Sequence, residues 1–161
     1  MKRIYAFEER CLNCRLCEVA CKTAHSVSGD TFKAYTLEHA LPGRVHVEGD
    51  NQLSVAVNCR HCSHPNCVSG CISGALSKDP VTGIVTCDTA KCVACRTCVA
   101  MCPFGAVTVI EKAHKCDLCT TGHGNGDPAC VRACINGALI FVESDEEQVK
   151  AVEDNVSGRG L

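Results

Sequence analysis

The chain lacks tryptophan altogether and carries only two tyrosines and four phenylalanines in 161 residues. With so few rings to stack on bases, and no stripe of basic residues to meet phosphates, nucleic-acid binding is excluded. No apolar run approaches the roughly 20 residues that cross a bilayer, so no direct membrane insertion is expected. Residues 1 to 10 (MKRIYAFEER) hold neither the apolar core of a secretion signal nor a twin arginine. That reading places the expected location in the cytoplasm, where thiols stay reduced. Paired carboxylates, a nucleophile with its base and a phosphate-binding loop are also missing, so the chain is not expected to be an enzyme in its own right.

What the chain has in excess is cysteine, seventeen in all. A content so far above average usage marks a scaffold held by staples. Sixteen of them fall into four quartets: Cys11, Cys14, Cys17, Cys21; Cys59, Cys62, Cys67, Cys71; Cys92, Cys95, Cys98, Cys102; and Cys116, Cys119, Cys130, Cys134. In every quartet three residues separate the last two cysteines, and only Cys87 stands outside.

The first and third quartets read C-x2-C-x2-C-x3-C, and Pro103 follows Cys102. This is the run that holds a 4Fe-4S cluster in bacterial ferredoxins. A cubane offers iron corners a few ångströms apart, and a tight loop with a thiolate at every third residue can wrap three of them. The fourth cysteine starts a helix leading away, and in two-cluster ferredoxins it ligates the other cluster, so quartets work in twos. The second and fourth quartets widen the middle gap to four residues (Ser63 to Asn66) and to ten (Thr120 to Ala129).

Zinc is the main rival, because four all-cysteine sites would use the same sixteen residues. Zinc sites usually join two separated C-x2-C pairs, whereas three equally spaced thiolates suit one face of a cubane. Disulfides would need an oxidising compartment. The formal charge of -2 counts cysteine as neutral; sixteen thiolates and four oxidised cores bring the loaded protein to roughly -10.

Three quartets share a tail: Ile72 to Leu76 (ISGAL), Pro103 to Val107 (PFGAV) and Ile135 to Leu139 (INGAL). The glycine allows a tight turn after a short helix, and the apolar residue opens a strand beside the site. The first quartet runs on instead as Lys22 to Ser26 (KTAHS). In the spacer from Lys22 to Asn58, alternation over Arg44 to Glu48, a turn at Gly49 to Gln52 and Leu53 to Val57 predict a β-hairpin. Asp79-Pro80 and Gly83 predict a second short strand pair between quartets two and three. Ser144 and Glu147 form a capping box ahead of Val149, Val152 and Val156, predicting a helix over Asp145 to Asn155. That helix would either fold back on its own chain or dock a partner, and Ser157 to Leu161 reads as a frayed tail.

The four quartets, with Cys59-Arg60-His61-Cys62 and Cys116-Asp117-Leu118-Cys119, resemble the four-cluster ferredoxin-type electron-transfer subunits over residues 3 to 143. The resemblance implies an α+β fold of two bacterial-ferredoxin-like modules, one from 1–30 and 110–143 and one from 58–109. An inserted hairpin region at 31–57 and a C-terminal helix and tail at 144–161 complete the expected organisation. It implies four 4Fe-4S clusters with crossed ligands. Cluster one takes Cys11, Cys14, Cys17 and Cys134; cluster two takes Cys116, Cys119, Cys130 and Cys21. Cluster three takes Cys59, Cys62, Cys67 and Cys102; cluster four takes Cys92, Cys95, Cys98 and Cys71.

The implied function is one-electron relay in an anaerobic setting, between a catalytic oxidoreductase subunit and a flavin subunit or other acceptor. Tungsten or molybdenum enzymes such as aldehyde oxidoreductase or formate dehydrogenase are the favoured partners. Carbon monoxide dehydrogenase, hydrogenase, or life as a free polyferredoxin are the alternatives. One departure is that Lys22, Ile72 and Ile135 stand where only Cys102 is followed by proline.

Arg15, Arg60, Arg96, Lys91 and Lys115 flank the cysteines, either offsetting cluster charge or standing as ordinary solvated charges. His61 and His123 are not expected to be ligands, since cysteines fill sixteen places. Cys87 reads first as a small apolar thiol packed in a strand and otherwise as a redox-sensing or spare-ligand thiol. The loop around His123, rich in glycine, reads either as a contact surface or as a tolerated insertion.

Overall fold

The structure, a computed structural model, describes residues 2–38, 41–50, 52–124 and 126–143. The helix predicted over Asp145 to Asn155 lies outside the described residues. The described chain is α+β, built from short elements in which helices follow cysteine loops and strands follow helices.

Strand β1 (Lys2–Ala6) comes first, then α1 (Leu16–Ala24), α2 (Thr31–Thr36), β2 (His46–Gly49) and β3 (Ser54–Val57). Next come α3 (Asn66–Ser69), β4 (Leu76–Lys78), β5 (Val85–Cys87), α4 (Thr97–Ala100), β6 (Val107–Val109) and β7 (Ala113–Lys115). Helix α5 (Ala129–Arg132) and β8 (Leu139–Glu143) complete the described chain. The strands pair antiparallel as β1 with β8, β2 with β3, β4 with β5 and β6 with β7.

The hairpin of β2 and β3 puts His46 opposite Val57 and Gly49 opposite Ser54. Gly49 has φ +144, and a Cβ there would lie 2.2 Å from the Leu53 carbonyl, so the turn requires glycine. The pair β4 and β5 sets Leu76 opposite Cys87. The longest-range pairing is β1 with β8, where Ile4 faces Phe141 and Ala6 faces Leu139. No local pattern announces it, since neither strand has its partner nearby in sequence.

The repeated tail acts alike in its three copies. Gly74, Gly105 and Gly137 have φ of +63, +62 and +62, the left-handed region that glycine enters without a Cβ penalty. The apolar residue two places on, Leu76, Val107 or Leu139, is buried at the start of its strand. Without such a glycine, α1 continues through Cys21 for nine residues, against four each for α3, α4 and α5.

Helix α1 packs on α5, while α3 packs on α4. Two larger apolar cores result among the described residues, beside a small one of Ala24, Cys119 and Ala129. One joins Ile4, Val45, Val47, Ala56, Ile84, Leu118 and Leu139 to Cys17, Cys21, Cys59, Cys116 and Cys130. The other joins Ala75, Leu76, Val107 and Ala113 to Cys92 and Cys98. Cysteine sulfur thus occupies places that large side chains take in most interiors. Among the described residues no helix is long and apolar enough to cross a membrane.

Candidate iron-sulfur centres

The cysteine loops share a backbone device. Asn13 and Arg15 have φ of 53 and 57, and Ala94 and Arg96, at matching places in the third quartet, have 55 and 64. His61 and Leu118, each just before the second cysteine of their loops, have 47 and 56. Left-handed residues of this kind are uncommon outside glycine and cluster where a loop wraps a ligand. They turn the loop inward, so that successive sulfurs face one side.

Backbone N–H groups aim at several of those sulfurs. Ala138 N–H donates to Cys134 Sγ (3.1 Å), Leu76 to Cys71 (3.4 Å), Ala113 to Cys92 (3.3 Å), Arg44 to Cys21 (3.2 Å) and Leu118 to Cys116 (3.4 Å). Such donors stabilise the charged form of the sulfur, which is the form that binds metal.

In two places three cysteines of one quartet meet one of another. Cys11, Cys14, Cys17 and Cys134 line one recess, walled by Val47, Ala56 and Leu139. Cys71, Cys92, Cys95 and Cys98 line a second, which Cys87 also borders. Burial pushes the Cys130 thiol upward, and the neighbouring Cys116, Cys21 and Cys119 thiols push it the same way. Burial likewise raises Cys67, to which Cys59, Cys102 and Cys62 add. Thiols of different sets also come near one another, Cys17 beside Cys130 and Cys59 beside Cys116.

The sets differ in exposure. Cys14 and Cys95 are exposed, Cys21, Cys116, Cys119 and Cys130 are all buried, and of Cys59, Cys62, Cys67 and Cys102 only Cys59 is buried. Burial holds Cys116 up at about 12, with Cys59 and Cys21 among the neighbours that raise it.

A buried polar cluster braces this region. The Asp117 carboxylate meets His25 Nε2 (3.0 Å) and Arg44 Nη1 (2.7 Å), and accepts a short hydrogen bond from the Thr121 hydroxyl. Burial opposes charge on His25, but the Asp117 and Cys21 hydrogen bonds outweigh it and lift the ring to about 9. The His25 ring also lies 3.8 Å from Cys21 Sγ.

Lys115 departs from the solvated reading of its charge. It is 5% exposed, and its ammonium donates to the carbonyls of Val85 and Cys116. His61 is buried too, with Nδ1 accepting from the Val85 N–H (2.9 Å). Burial, aided by Lys115, lowers its pKa to about 3, so the ring is neutral. Arg60 stacks on Phe104 (4.2 Å), Lys91 pairs with Asp88 (3.4 Å) and Arg15 pairs with Glu18 (3.5 Å). The His123 loop folds back on the chain: His123 Nε2 bonds the Val27 carbonyl (3.0 Å), and Gly122 abuts the Ala24 carbonyl. The contribution of α2 was missed in the sequence, although Asp30, which accepts from Lys33 N–H (2.9 Å), is an N-cap signal.

The donors that line these recesses are all sulfur, with amide N–H groups behind several of them. Soft thiolates arranged this way fit an iron-sulfur cluster.

These features define an iron-sulfur protein of ferredoxin type. A family model described as "4Fe-4S dicluster domain" matches residues 51–144, and the chain belongs to that family of ferredoxin-type electron-transfer proteins. It is 36% identical over 167 aligned residues to "Electron transport protein HydN" of Escherichia coli (strain K12), covering 92% of each chain. It is 34% identical over 148 residues to "Thiosulfate reductase electron transfer subunit PhsB" of Salmonella typhi, covering 89% of this chain and 76% of that one. Among solved structures it is similar to a chain of "Active site complex BamBC of Benzoyl Coenzyme A reductase as isolated", with 20% identity and a TM-score of 0.44 over 99% of this chain and 91% of that one.

Proposed function

We propose that the chain is a non-catalytic electron-transfer subunit whose sixteen quartet cysteines hold four 4Fe-4S clusters in the crossed sets. When bound, each cluster would supply a one-electron redox centre. Cys11, Cys14, Cys17 and Cys134 form one outer site, and Cys71, Cys92, Cys95 and Cys98 the other. Between them lie the sets of Cys21, Cys116, Cys119, Cys130 and of Cys59, Cys62, Cys67, Cys102.

One observation carries this reading: two thiol-lined recesses reach the surface at Cys14 and Cys95, while Cys21, Cys116, Cys119 and Cys130 are all buried. Such an order is an entry, a shielded middle and an exit. The protein side chains exclude water from the middle, and Lys115 and the amide donors offset negative charge there.

The partner we propose is a cytoplasmic tungsten or molybdenum oxidoreductase, aldehyde oxidoreductase or formate dehydrogenase in kind, with a flavin subunit as acceptor. Support for a catalytic partner is that the similar PhsB is named as the electron-transfer subunit of a reductase. Carbon monoxide dehydrogenase and hydrogenase are the alternative partners.

The test is anaerobic purification of the native complex through this chain, with iron, sulfide, tungsten, molybdenum and nickel measured together. About sixteen irons per chain plus tungsten or molybdenum is the expected result. Nickel would overturn the partner, and about eight irons would overturn the four clusters.

A further inference from the structure

Filling the four proposed ligand sets leaves one cysteine over, and the fold puts it where a ligand would go. Cys87 ends β5 opposite Leu76, and so borders the recess of Cys71, Cys92, Cys95 and Cys98. Its thiol lies beside Cys92 in the same apolar cluster, with Cys98 and Cys71 also near. It packs with Ala75, Leu76 and Ala113, the apolar wall of the same recess. The other outer recess has no fifth thiol; Val47 and Ala56 close it.

The connection between the two sulfurs is short and ordered. Asp88 N–H bonds the Ala75 carbonyl (2.8 Å), and Asp88 Oδ1 accepts from Ala90 N–H (3.0 Å). Cys87 therefore stays beside Cys92 without any rearrangement of the strand pair. Packing alone would be served as well by alanine or valine, whereas a thiol here adds a fifth soft donor around one open space.

We propose that Cys87 is a reserve ligand for this site, able to take over the iron corner held by Cys92. The inference rests on the cluster reading given above. The exchange balances without any oxidant or reductant. The Cys87 thiol gives up its proton and forms a sulfur-iron bond, while the Cys92 sulfur leaves the same iron and takes a proton. No electron moves. Cys92 is the ligand assigned to the exchange because it heads the thiols that neighbour Cys87 in this cluster. The benefit falls on a site that reaches solvent at Cys95, where oxidation or chelation would strike early.

The experiment uses the full chain purified anaerobically, as native protein and as Cys87→Ala, Cys92→Ala, Cys95→Ala and Cys92→Ala/Cys87→Ala variants. Iron is measured per chain, and the reduced clusters are read by electron paramagnetic resonance. About sixteen irons in the native chain is the check on the cluster reading itself, so its failure is separable from failure of the exchange. Cys92→Ala is expected to keep about sixteen irons with an altered spectrum, while the double variant and Cys95→Ala fall to about twelve. Equal iron in Cys92→Ala and the double variant overturns the proposal. Cys87→Ala, in which only a methyl-sized change is made, supplies a second test that does not depend on a ligand variant folding. Its outer site is expected to release iron to a chelator several-fold faster than in the native chain, and equal rates overturn the proposal.

Discussion

Replacing Cys134 by alanine separates the crossed arrangement from a local one more sharply than any other change. Cys134 belongs to the fourth quartet by sequence, yet it lines the recess of Cys11, Cys14 and Cys17, where its sulfur accepts from the Ala138 N–H at 3.1 Å. Removing it takes one of four donors from that recess and none from Cys116, Cys119 and Cys130, whose near neighbour is Cys21. The expected loss is one cluster, about a quarter of the iron, with the other signals unmoved. Alkylation of the folded chain followed by mass mapping gives the answer residue by residue. Cys11, Cys14 and Cys17 should become reactive, while Cys116, Cys119 and Cys130 stay protected. The reverse pattern would refute the crossed arrangement, and with it the two-module reading.

Two further outcomes follow from the polar brace and from close packing. His25 is held charged up to about 9, above its ordinary 6.5, so its contribution to stability is complete below pH 6.5 and fades as pH rises through 9. Asp117 is held below the usual carboxylate range by its bonds to His25, Thr121 and Arg44, which outweigh its burial. Its contribution is present above about pH 4 and is lost as pH falls below that. Asp117→Asn should cost about 3–5 kcal/mol, since it leaves the half-buried Arg44 without its carboxylate partner; it also lets burial and Arg44 discharge His25, and so should flatten the alkaline fall of the melting temperature; an alkaline limb unchanged in the variant counts against the argument. Gly124→Ala would place a Cβ 2.2 Å from Cys119 Cβ, whereas Gly74→Ala meets nothing within 4 Å. The first should lose iron at the Cys119 site, while the second should keep its iron and cost about 1–2 kcal/mol of backbone strain; comparable iron loss in both would sink the packing argument.

How far the sequence was legible depends on the range of each interaction. The hairpin of β2 and β3 and the pair β4 and β5 were readable because their turns lie between their strands, at Gly49 to Gln52 and around Asp79 and Gly83. The three glycine turns were readable for the same reason. By contrast, β1 with β8 is written nowhere locally, since each strand finds its partner only when the chain ends meet. The burial of Lys115 escaped notice because a lysine beside a cysteine looks solvated until the carbonyls of Val85 and Cys116 are seen to receive it. The His25, Arg44 and Asp117 brace, drawn from three separate segments, carried no motif at all.

The pairing of β1 with β8 also fixes an order of events during synthesis. Strand β1 is made before β8 and waits for it before it can pair, a delay of roughly 10 to 30 seconds at ordinary translation speed. In the proposed arrangement Cys11, Cys14 and Cys17 wait for Cys134 over the same interval, whereas the sets around Cys59 and Cys92 are complete once Cys102 has emerged. One pair of the proposed sites is thus ready to fill before the other.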